Sequence, residues 1–585
     1  MKPRMIVMVL CLVIGLACPS LSGQVHAQGA RKSQNQLIVN LNNRYRPVSH
    51  VASGSLYGLA AANTPSLKLI KPLKPATFVQ MAPDGQQLPN GETKPAGDAL
   101  KVADLANRAG AKITIRFPDI YPNFPYRWVS WDDWLSKVDA IVQKTLNSGV
   151  RNIYGYELWN EPDGTWNTSA AGSFNEGWKR TYNEVKKYDA KTPIVGPSIS
   201  SYNESFMKSF LTYAKANHCL PDIISWHQWD APSLQSKVQN LRKMEKALGI
   251  SPRPISINEY GWRNEEAVPG ATIPYIAQFE RDGVQTANMA FWYQYGRLSN
   301  LLTDRQQANG GWWLYKWYGD MTGQMVMTRA ANTSSSLDGI ANLDSKNHVS
   351  RVIVGGAAGN NAITVKGFRS ATAFKKNVHV ELLATPWYGV DTAVKKPKTV
   401  LTGTFKIING QITIPVKGMQ QSWGYEAVIT PTQKKINGKS KINYPKQSNR
   451  FILRKEAEEA TINHGIVYSG SYASNAQYVG SLDDSDSYVQ FHVKIPTTGK
   501  YTLEIGYANG HSDHKAATDK LFISNHGERT LSFPYTGGWT NAVPNSGTRK
   551  ILNMEVNLSS GKHSITLQRL TNFAEIDYIQ LTKAK

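Results

Sequence analysis

Two glutamates each follow an asparagine at the end of an apolar, strand-like segment. Glu161 closes "NIYGYELWNEP", in which Pro162 ends the strand pairing, and Glu259 closes "RPISINEYGW". Two facing carboxyl groups can hydrolyse a glycosidic bond, because one protonates the leaving oxygen while the other attacks or stabilises the anomeric carbon. One strand-end glutamate is usually a solvated or salt-bridged side chain. Two in the same local context favour a catalytic pair.

The elements that must position these glutamates alternate between strand-like and helix-like patterns over residues 48–320. Eight β–α units in a segment of this size predict a closed (β/α)8 TIM barrel, in which the carboxyl ends of all strands meet at one face. Glu161 would end the fourth strand and Glu259 the seventh. A doubly wound open sheet is the alternative, but the sequence offers no Gly-rich phosphate loop.

The remaining residues divide into four further segments. Residues 321–432 contain short alternating strands with Gly and Asn turns, which predict a β-sandwich. Residues 433–450 are a basic linker, and residues 451–585 form a second all-β domain, predicted as a jelly-roll sandwich. Residues 1–27 combine a charged start, a short apolar run and the small-residue site "VHA", which predicts a secretory signal peptide.

Export has consequences for the cysteines and for the partners. Removal of the signal leaves Cys219, so stability must come from buried cores rather than from an intramolecular disulfide, and this thiol is expected to be inert. The net charge of +23 favours adhesion to an anionic cell wall. We find no recognised nucleic-acid module and no segment of bilayer-spanning length. We therefore expect an extracellular monomer with no nucleic-acid or integral membrane contact.

The motif "WNEP" at the fourth strand, with a glutamate after the seventh, resembles the retaining glycoside hydrolases of clan A. The longer "ELWNEPDGTW", the segment "SGSLYGL" and the following sandwich are most similar to family 39. The resemblance implies that Glu161 is the acid/base, Glu259 the nucleophile and Asn160 a partner of the 2-hydroxyl of the sugar. It places His227 and Trp292 among the substrate-binding residues. It implies no cofactor for catalysis.

Three further polar residues are candidates inside the barrel. His50 and Arg116 would hold substrate hydroxyls or a carboxylate, or else serve as structural polar residues. Glu157 shares a strand face with Glu161 and is expected to be a buried support. We also expect the charge of Glu259, about 5.5 Å away, to raise the pKa of Glu161.

The segments "RKEAEEATINHG" and "TNFAEIDYIQL" resemble a carbohydrate-binding module of family 35, a relative of family 6. The resemblance implies that Glu456, Glu458 and Asp577 hold a structural Ca²⁺, an ion that prefers several oxygen ligands. The alternative is an exposed acidic turn or strand edge. Trp539 and Asn572 occupy the positions of sugar contacts.

Together these features predict an exported retaining glycosidase that cleaves β-type bonds in a plant or microbial polysaccharide or oligosaccharide. A catalytically silent carbohydrate-binding or surface-adhesion protein on the same scaffold is the alternative. Both carboxylates of the predicted pair are present, and this favours the enzyme.

Overall fold

The computed structural model describes residues 35–584 except 90–91, 93, 293, 333, 370–372, 435–438, 446–450, 471–472, 475–476, 525 and 540–548. The predicted signal peptide lies outside these residues. Within the described ranges, none of the helices combines the length and the apolar character needed to cross a membrane.

Residues 54–289 form a closed barrel of eight parallel strands, as predicted. The first strand of the chain, β1 (Asn35–Pro47), belongs to another sheet. The barrel strands, in order around the barrel, are β2 Gly54–Leu56, β3 Thr77–Met81, β4 Lys112–Arg116, β5 Ile153–Glu157, β6 Ile194–Ile199, β7 Ile223–Gln228, β8 Ile255–Tyr260 and β9 Thr286–Met289.

Helices connect these strands and cover the barrel. They are α1 Leu67–Ile70, α2 Ala99–Ala109, α3 Trp131–Asn147, α4 Pro162–Thr165, α5 Thr168–Ala171, α6 Phe174–Tyr188, α7 Glu204–Ala216, α8 Leu234–Leu248, α9 Pro269–Arg281 and α10 Gly310–Asp320. Helix α3 shows why the sequence folds this way. The Ser130 hydroxyl caps it by accepting from the Asp133 backbone N–H at 3.1 Å. Trp134, Val138 and Ile141 then fall on one buried face at helical spacing.

The accessory domain is a ten-stranded sheet. Its strands after the barrel are β10 Gln324–Ala330, β11 Asp338–Asp344, β12 Val349–Gly355, β13 Gly359–Lys366, β14 Asn377–Thr385, β15 Lys398–Lys406, β16 Gln411–Met419, β17 Gly424–Pro431 and β18 Lys441–Asn443. Residues from both ends of the sheet share one buried core, for example Ile414 of β16 and Phe405 of β15. The sheet therefore folds over on itself.

Two strands of this sheet lie outside residues 321–432. Strand β1 precedes the barrel in sequence, yet it pairs with β10 and β13 and buries Leu37, Val39 and Leu41 at alternating positions. Strand β18 comes from the predicted linker and pairs with β15. The accessory sheet thus takes strands from both flanks, because each flank contains an extended segment able to complete its hydrogen bonding.

The C-terminal module is a sandwich of two antiparallel sheets around its own apolar core. Its strands are β19 Ile452–Glu456, β20 Thr461–Asn463, β21 Ile466–Ser469, β22 Gln477–Gly480, β23 Tyr488–Ile495, β24 Gly499–Ala508, β25 Ala517–Ile523, β26 Glu528–Phe533, β27 Lys550–Leu558, β28 Gly561–Thr571 and β29 Glu575–Lys583.

The module contacts the loop between β14 and β15. Arg454 Nη1 donates to Thr392 Oγ1 at 3.5 Å. Gly389, with φ 103°, lies so close that a Cβ there would be 3.0 Å from Arg454 Cδ. The basic segment before the module therefore joins two domains that already touch.

Candidate active site

Glu161 and Glu259 lie at the same end of the barrel. Glu161 follows β5, and Glu259 is the fifth residue of β8. Glu161 has a left-handed backbone with φ 52°, which ends the strand and starts α4 at Pro162. This conformation costs about 1–2 kcal/mol for a non-glycine residue, and it is held by the hydrogen bond from the Glu161 N–H to the Ser198 carbonyl at 2.9 Å. Such strain is typical of functional sites.

His227 lies between the two carboxylates. One ligand atom from each of Glu161, His227 and Glu259 lies within 4.8 Å of the others. The fully buried imidazole places Nδ1 3.1 Å from Glu161 Oε1 and Nε2 3.6 Å from Glu259 Oε1. The predicted pair and the predicted His227 thus form one continuous group.

Arg116 contacts this group through a hydrogen bond to Glu259. Its Nε donates to Glu157 Oε2 at 3.0 Å, and its Nη1 donates to Glu259 Oε1 at 2.7 Å. Arg116 and Glu157 are almost completely buried. Glu157 therefore anchors Arg116, and Arg116 orients Glu259, which matches the expected support role of Glu157.

The contact between Glu161 and His227 shifts the pKa of each group in the opposite direction from the effect of burial. Burial raises the pKa of Glu161, but the hydrogen bond and charge of His227 and the charge of Arg116 together bring it below its ordinary value. Burial lowers the pKa of His227, but the charge of Glu259 and the contact with Glu161 raise it above its ordinary value. The expectation that Glu259 raises the pKa of Glu161 is wrong in this site, because an imidazole stands between the carboxylates.

Asn160 lies beside the pair and is buried. Thr165 Oγ1 donates to its backbone carbonyl at 2.6 Å, which fixes the turn. Its side-chain Oδ1 is buried and accepts no hydrogen bond among the described residues. The amide oxygen of Asn160 is therefore available to a ligand. Its contact with a sugar hydroxyl stays a prediction.

Three tryptophans form a wall next to His227. The Trp229 ring stacks on Trp262 at 4.9 Å, and Trp292 lies 5.7 Å from Trp229 and 6.3 Å from Trp262. Trp262 is 48% exposed, and Trp292 is held by a hydrogen bond from Nε1 to the Gly261 carbonyl. Flat aromatic faces suit the apolar face of a sugar ring. Only Trp292 was predicted, although Trp229 and Trp262 follow His227 and Glu259 within three residues.

His50 does not join the site. It lies before β2, and its Nε2 is 3.1 Å from the Met321 carbonyl. The predicted first strand began too early: β2 is only Gly54–Leu56, so His50 lies toward the opposite face of the barrel. Burial lowers its pKa to about 4. Its assignment to substrate binding is therefore corrected to a structural role.

A buried acid near Arg116 was missed by sequence reasoning. Asp119 Oδ2 is 2.6 Å from the hydroxyl of Tyr57, and Oδ1 accepts from the hydroxyl of Tyr126 at 3.1 Å. Burial raises the pKa of Asp119 to about 7, although Arg116 and these tyrosine hydroxyls oppose the shift. The lone acidic residue in "RFPDI" carried no signal beyond its position after β4.

The side chains of Glu161, His227 and Glu259 also lie close enough together to bind one metal ion. Arg116 already places a positive charge 2.7 Å from Glu259. A protonated His227 adds a second. These two positive charges repel a metal cation. The side chains of Glu161, His227 and Glu259 therefore fit proton transfer better than metal binding.

Two of the three acidic residues predicted to hold calcium in the module, Glu456 and Asp577, are paired with arginines. Arg454 Nε lies 3.0 Å from Glu456 Oε1, and Arg549 Nε lies 3.5 Å from Asp577 Oδ2. Among the described side chains, Glu456, Glu458 and Asp577 do not form a group with converging ligand atoms. This arrangement does not fit a calcium site, because guanidinium groups occupy the places of the cation.

Trp539 and Asn572 lie at one edge of the module. Trp539 stacks on Phe573 at 4.9 Å and meets the edge of His511 at 5.0 Å. Asn572 directly precedes Phe573 and has φ 52°. The two predicted contacts are therefore neighbours, together with His511 and Phe573, which were not predicted. Their role in sugar binding stays a prediction.

Comparisons with known proteins found one family model, solved structures and curated relatives that are similar to this chain. Residues 453–584 match the sequence model of "Carbohydrate binding module (family 35)". The solved structure of N2152 from Neocallimastix frontalis is 38% identical, with a TM-score of 0.65, and the match covers 68% of this chain and 100% of that one.

Two curated relatives are each 26% identical over 78% of this chain. They are a 3-O-alpha-D-galactosyl-alpha-L-arabinofuranosidase of Bifidobacterium longum subsp. longum and a 3-O-beta-L-arabinopyranosyl-alpha-L-arabinofuranosidase of Bifidobacterium pseudocatenulatum. The matches cover 46% and 54% of those proteins, so this chain spans about half the length of each. These matches do not test family 39, which stays a prediction.

Proposed function

The chain belongs to the same family as N2152 of Neocallimastix frontalis, and from this premise we propose that it is a retaining glycoside hydrolase acting on α-L-arabinofuranosides. The observation that carries the proposal is the approach of Glu161, His227 and Glu259 to within 4.8 Å at the barrel mouth. Retaining enzymes hold their carboxyl groups about 5–5.5 Å apart, whereas inverting ones need about 6.5–9.5 Å to admit a water.

In the proposed reaction, a Glu259 oxygen attacks the anomeric carbon while the bond to the leaving oxygen breaks. Arg116 orients the attacking carboxylate through its 2.7 Å hydrogen bond. The leaving oxygen takes its proton from Glu161, which receives it from His227 Nδ1 across the 3.1 Å contact. The products of this step are a glycosyl ester on Glu259 and a free alcohol.

In the second step, Glu161 takes a proton from water, and that water attacks the ester carbon. The sugar leaves with its original anomeric configuration, because two inversions cancel. Esterification removes the negative charge of Glu259, which is the largest influence raising the pKa of His227. The imidazole, which gave up its proton in the first step, therefore stays neutral, and the ionised Glu161 can act as a base. The proton taken from water returns to His227 when release of the sugar restores the charge of Glu259.

The arabinofuranoside follows from the names of the two curated relatives. The α-L and β-D glycosides share the same absolute configuration at the anomeric carbon, so the expected β-type chemistry and an α-L-arabinofuranoside present the leaving oxygen in the same way. The family 35 module would hold the parent polysaccharide. The predicted signal peptide would place this activity outside the cell.

A panel of 4-nitrophenyl glycosides tests the proposal. We expect release of nitrophenol from the α-L-arabinofuranoside, or of free disaccharide from glycans with terminal arabinofuranosyl disaccharides, and retained configuration in the first-formed product by proton NMR. Inverted product would refute the retaining mechanism. Binding of these glycans without any hydrolysis would favour the alternative, a silent carbohydrate-binding protein.

A further inference from the structure

A cavity of about 1160 Å³ lies where the three domains meet. Arg263 and Glu266 of the loop after β8 line it from the barrel, Trp387 and Lys398 from the accessory sheet, and Arg454 from the module. This volume is large enough for several sugar rings, since ordinary ligand pockets measure about 300–1,000 Å³.

The lining of this cavity is positively charged. Its ionisable cations and acids are Arg263, Lys398, Lys417, Arg454, Lys455 and Lys583 against Glu266, Glu456 and Glu459. Burial raises the pKa of Glu266 well above its ordinary value and that of Glu456 to about 7, so these two acids offset less charge than free carboxylates. Lys398, Lys417 and Lys455 form no ion pair with any carboxylate in the described part of the chain.

Aromatic rings stand beside these free cations. The Tyr388 and Trp423 rings meet edge to face at 6.0 Å, and the Lys398 ammonium lies 5.3 Å from the Trp423 ring and 3.1 Å from the Tyr388 hydroxyl. The Lys417 ammonium lies 4.4 Å from the Tyr444 ring. A flat ring next to an ammonium group is matched by a sugar that carries a carboxylate, because the ring accepts its C–H face and the cation its charge.

The cavity lies next to the tryptophan wall of the barrel mouth. Val390 is buried against both Trp387, which lines the cavity, and Trp292, which belongs to the tryptophan wall.

We propose that this cavity binds an acidic oligosaccharide, whose uronate carboxylates pair with Lys398 and Lys417 while its rings lie against Trp387 and Tyr388. The charge of the lining decides between this occupant and a neutral glycan, since a neutral chain would leave these ammonium groups without counter-charges. The site is separate from Glu161 and Glu259 and does not depend on the proposed hydrolysis.

Calorimetric titration of the full chain tests the proposal with two matched probes, a hexamer of galacturonic acid and the same hexamer with its carboxyl groups reduced to alcohols. The titrations use the Trp539→Ala variant, which removes the predicted sugar contact of the module. We expect the acidic hexamer to bind at least tenfold more tightly than the reduced one, since a hydrogen bond to a charged group contributes about 1.5–3 kcal/mol.

Lys398→Glu is expected to weaken binding of the acidic hexamer by about tenfold or more, since it removes one such contact and adds repulsion. Lys396→Glu is the matched control, because it makes the same charge change two residues away at an exposed position that does not line the cavity. This control should change the affinity by no more than about fivefold, as expected for an exposed charge. Lys417→Glu repeats the test at an exposed side chain where folding is not at stake.

Equal affinity for the two hexamers, or equal losses in Lys398→Glu and Lys396→Glu, would overturn the proposal, because either result means general attraction to a basic surface. Absence of binding would overturn it as well. Failure of the proposed hydrolysis would appear separately, as a lack of turnover by the unmodified chain. It would not change what the titrations say about binding of the acidic hexamer.

Discussion

Carboxylates gather in two regions of this molecule, and they differ in the cations that accompany them. At the barrel mouth, Glu161 and Glu259 share one imidazole, and their side chains remain 21% and 12% exposed. In the module, Glu456 and Asp577 each face an arginine and are buried.

The difference lies in whether a proton can move. An imidazole gains and loses a proton near neutral pH, so the carboxylates beside His227 belong to a group that can change its charge. A guanidinium keeps its protons in proteins, so Arg454 and Arg549 act as fixed charges.

The largest expected effect is that of Glu259→Ala. Loss of the nucleophile should lower turnover by several orders of magnitude, because no glycosyl ester can form. Azide should restore turnover by attacking from the vacated side, and NMR should show a glycosyl azide of inverted configuration. Glu204→Ala, at an exposed position in α7, is the control and should keep full activity. A glycosyl azide of retained configuration would mean that Glu161 is the nucleophile and Glu259 the acid/base.

Glu161→Ala should have a smaller effect that depends on the leaving group. Loss of the general acid should cost about 10²–10⁴-fold on a natural glycoside. A 2,4-dinitrophenyl glycoside needs little protonation, so its first step should be nearly unaffected. Steady-state kinetics on both substrates measure this difference, and an equal loss on both would mean that Glu161 only binds the sugar.

His227→Gln tests whether the imidazole stores the proton. In the unmodified site the pKa of His227 is raised, so the pair formed by His227 and Glu161 loses its proton only at relatively high pH. With a glutamine side chain in place of the imidazole, the proton must rest on Glu161, and the alkaline limb of the kcat/KM profile should move to lower pH. An unchanged limb with an increased KM would instead indicate that His227 only contacts substrate.

The barrel and its central residues were predictable because β–α spacing and strand ends define one face. Glu161 and Glu259 end strands of the same barrel, and Arg116 ends the neighbouring β4. Glu157, the last residue of β5, was correctly expected to be buried. These predictions depend on local periodicity together with one closed topology, and both can be read from sequence.

What could not be predicted depends on partners that are distant in sequence. The pKa of Glu161 is set by His227, which is 66 residues away. Arg549 and Asp577 meet only when the sandwich of the module closes. His50 was misplaced for a different reason, namely that a strand of only three residues has boundaries that side-chain alternation does not define.

Arg454→Ala should destabilise the module. The ion pair with Glu456 is buried, with 7% and 11% of the two side chains exposed, and removing one partner of such a pair costs about 3–5 kcal/mol. Calorimetry of the full chain should show an earlier unfolding transition, whereas Lys455→Ala at the next residue should show little change. Equal effects of the two substitutions would mean that the Arg454 pair is only marginally stabilising.

The smallest expected effect is that of removing calcium. An ion that binds only the folded module would stabilise it by about 2.7 kcal/mol at one hundred times its dissociation constant. Because Arg454 and Arg549 already supply the positive charge beside Glu456 and Asp577, we expect the melting temperature of the full chain to be the same in EDTA and in millimolar calcium. A calcium-dependent rise that disappears in Glu456→Gln would contradict this expectation. It would show that the arginines leave and that the carboxylates of the module, like those at the barrel mouth, accept an exchangeable cation.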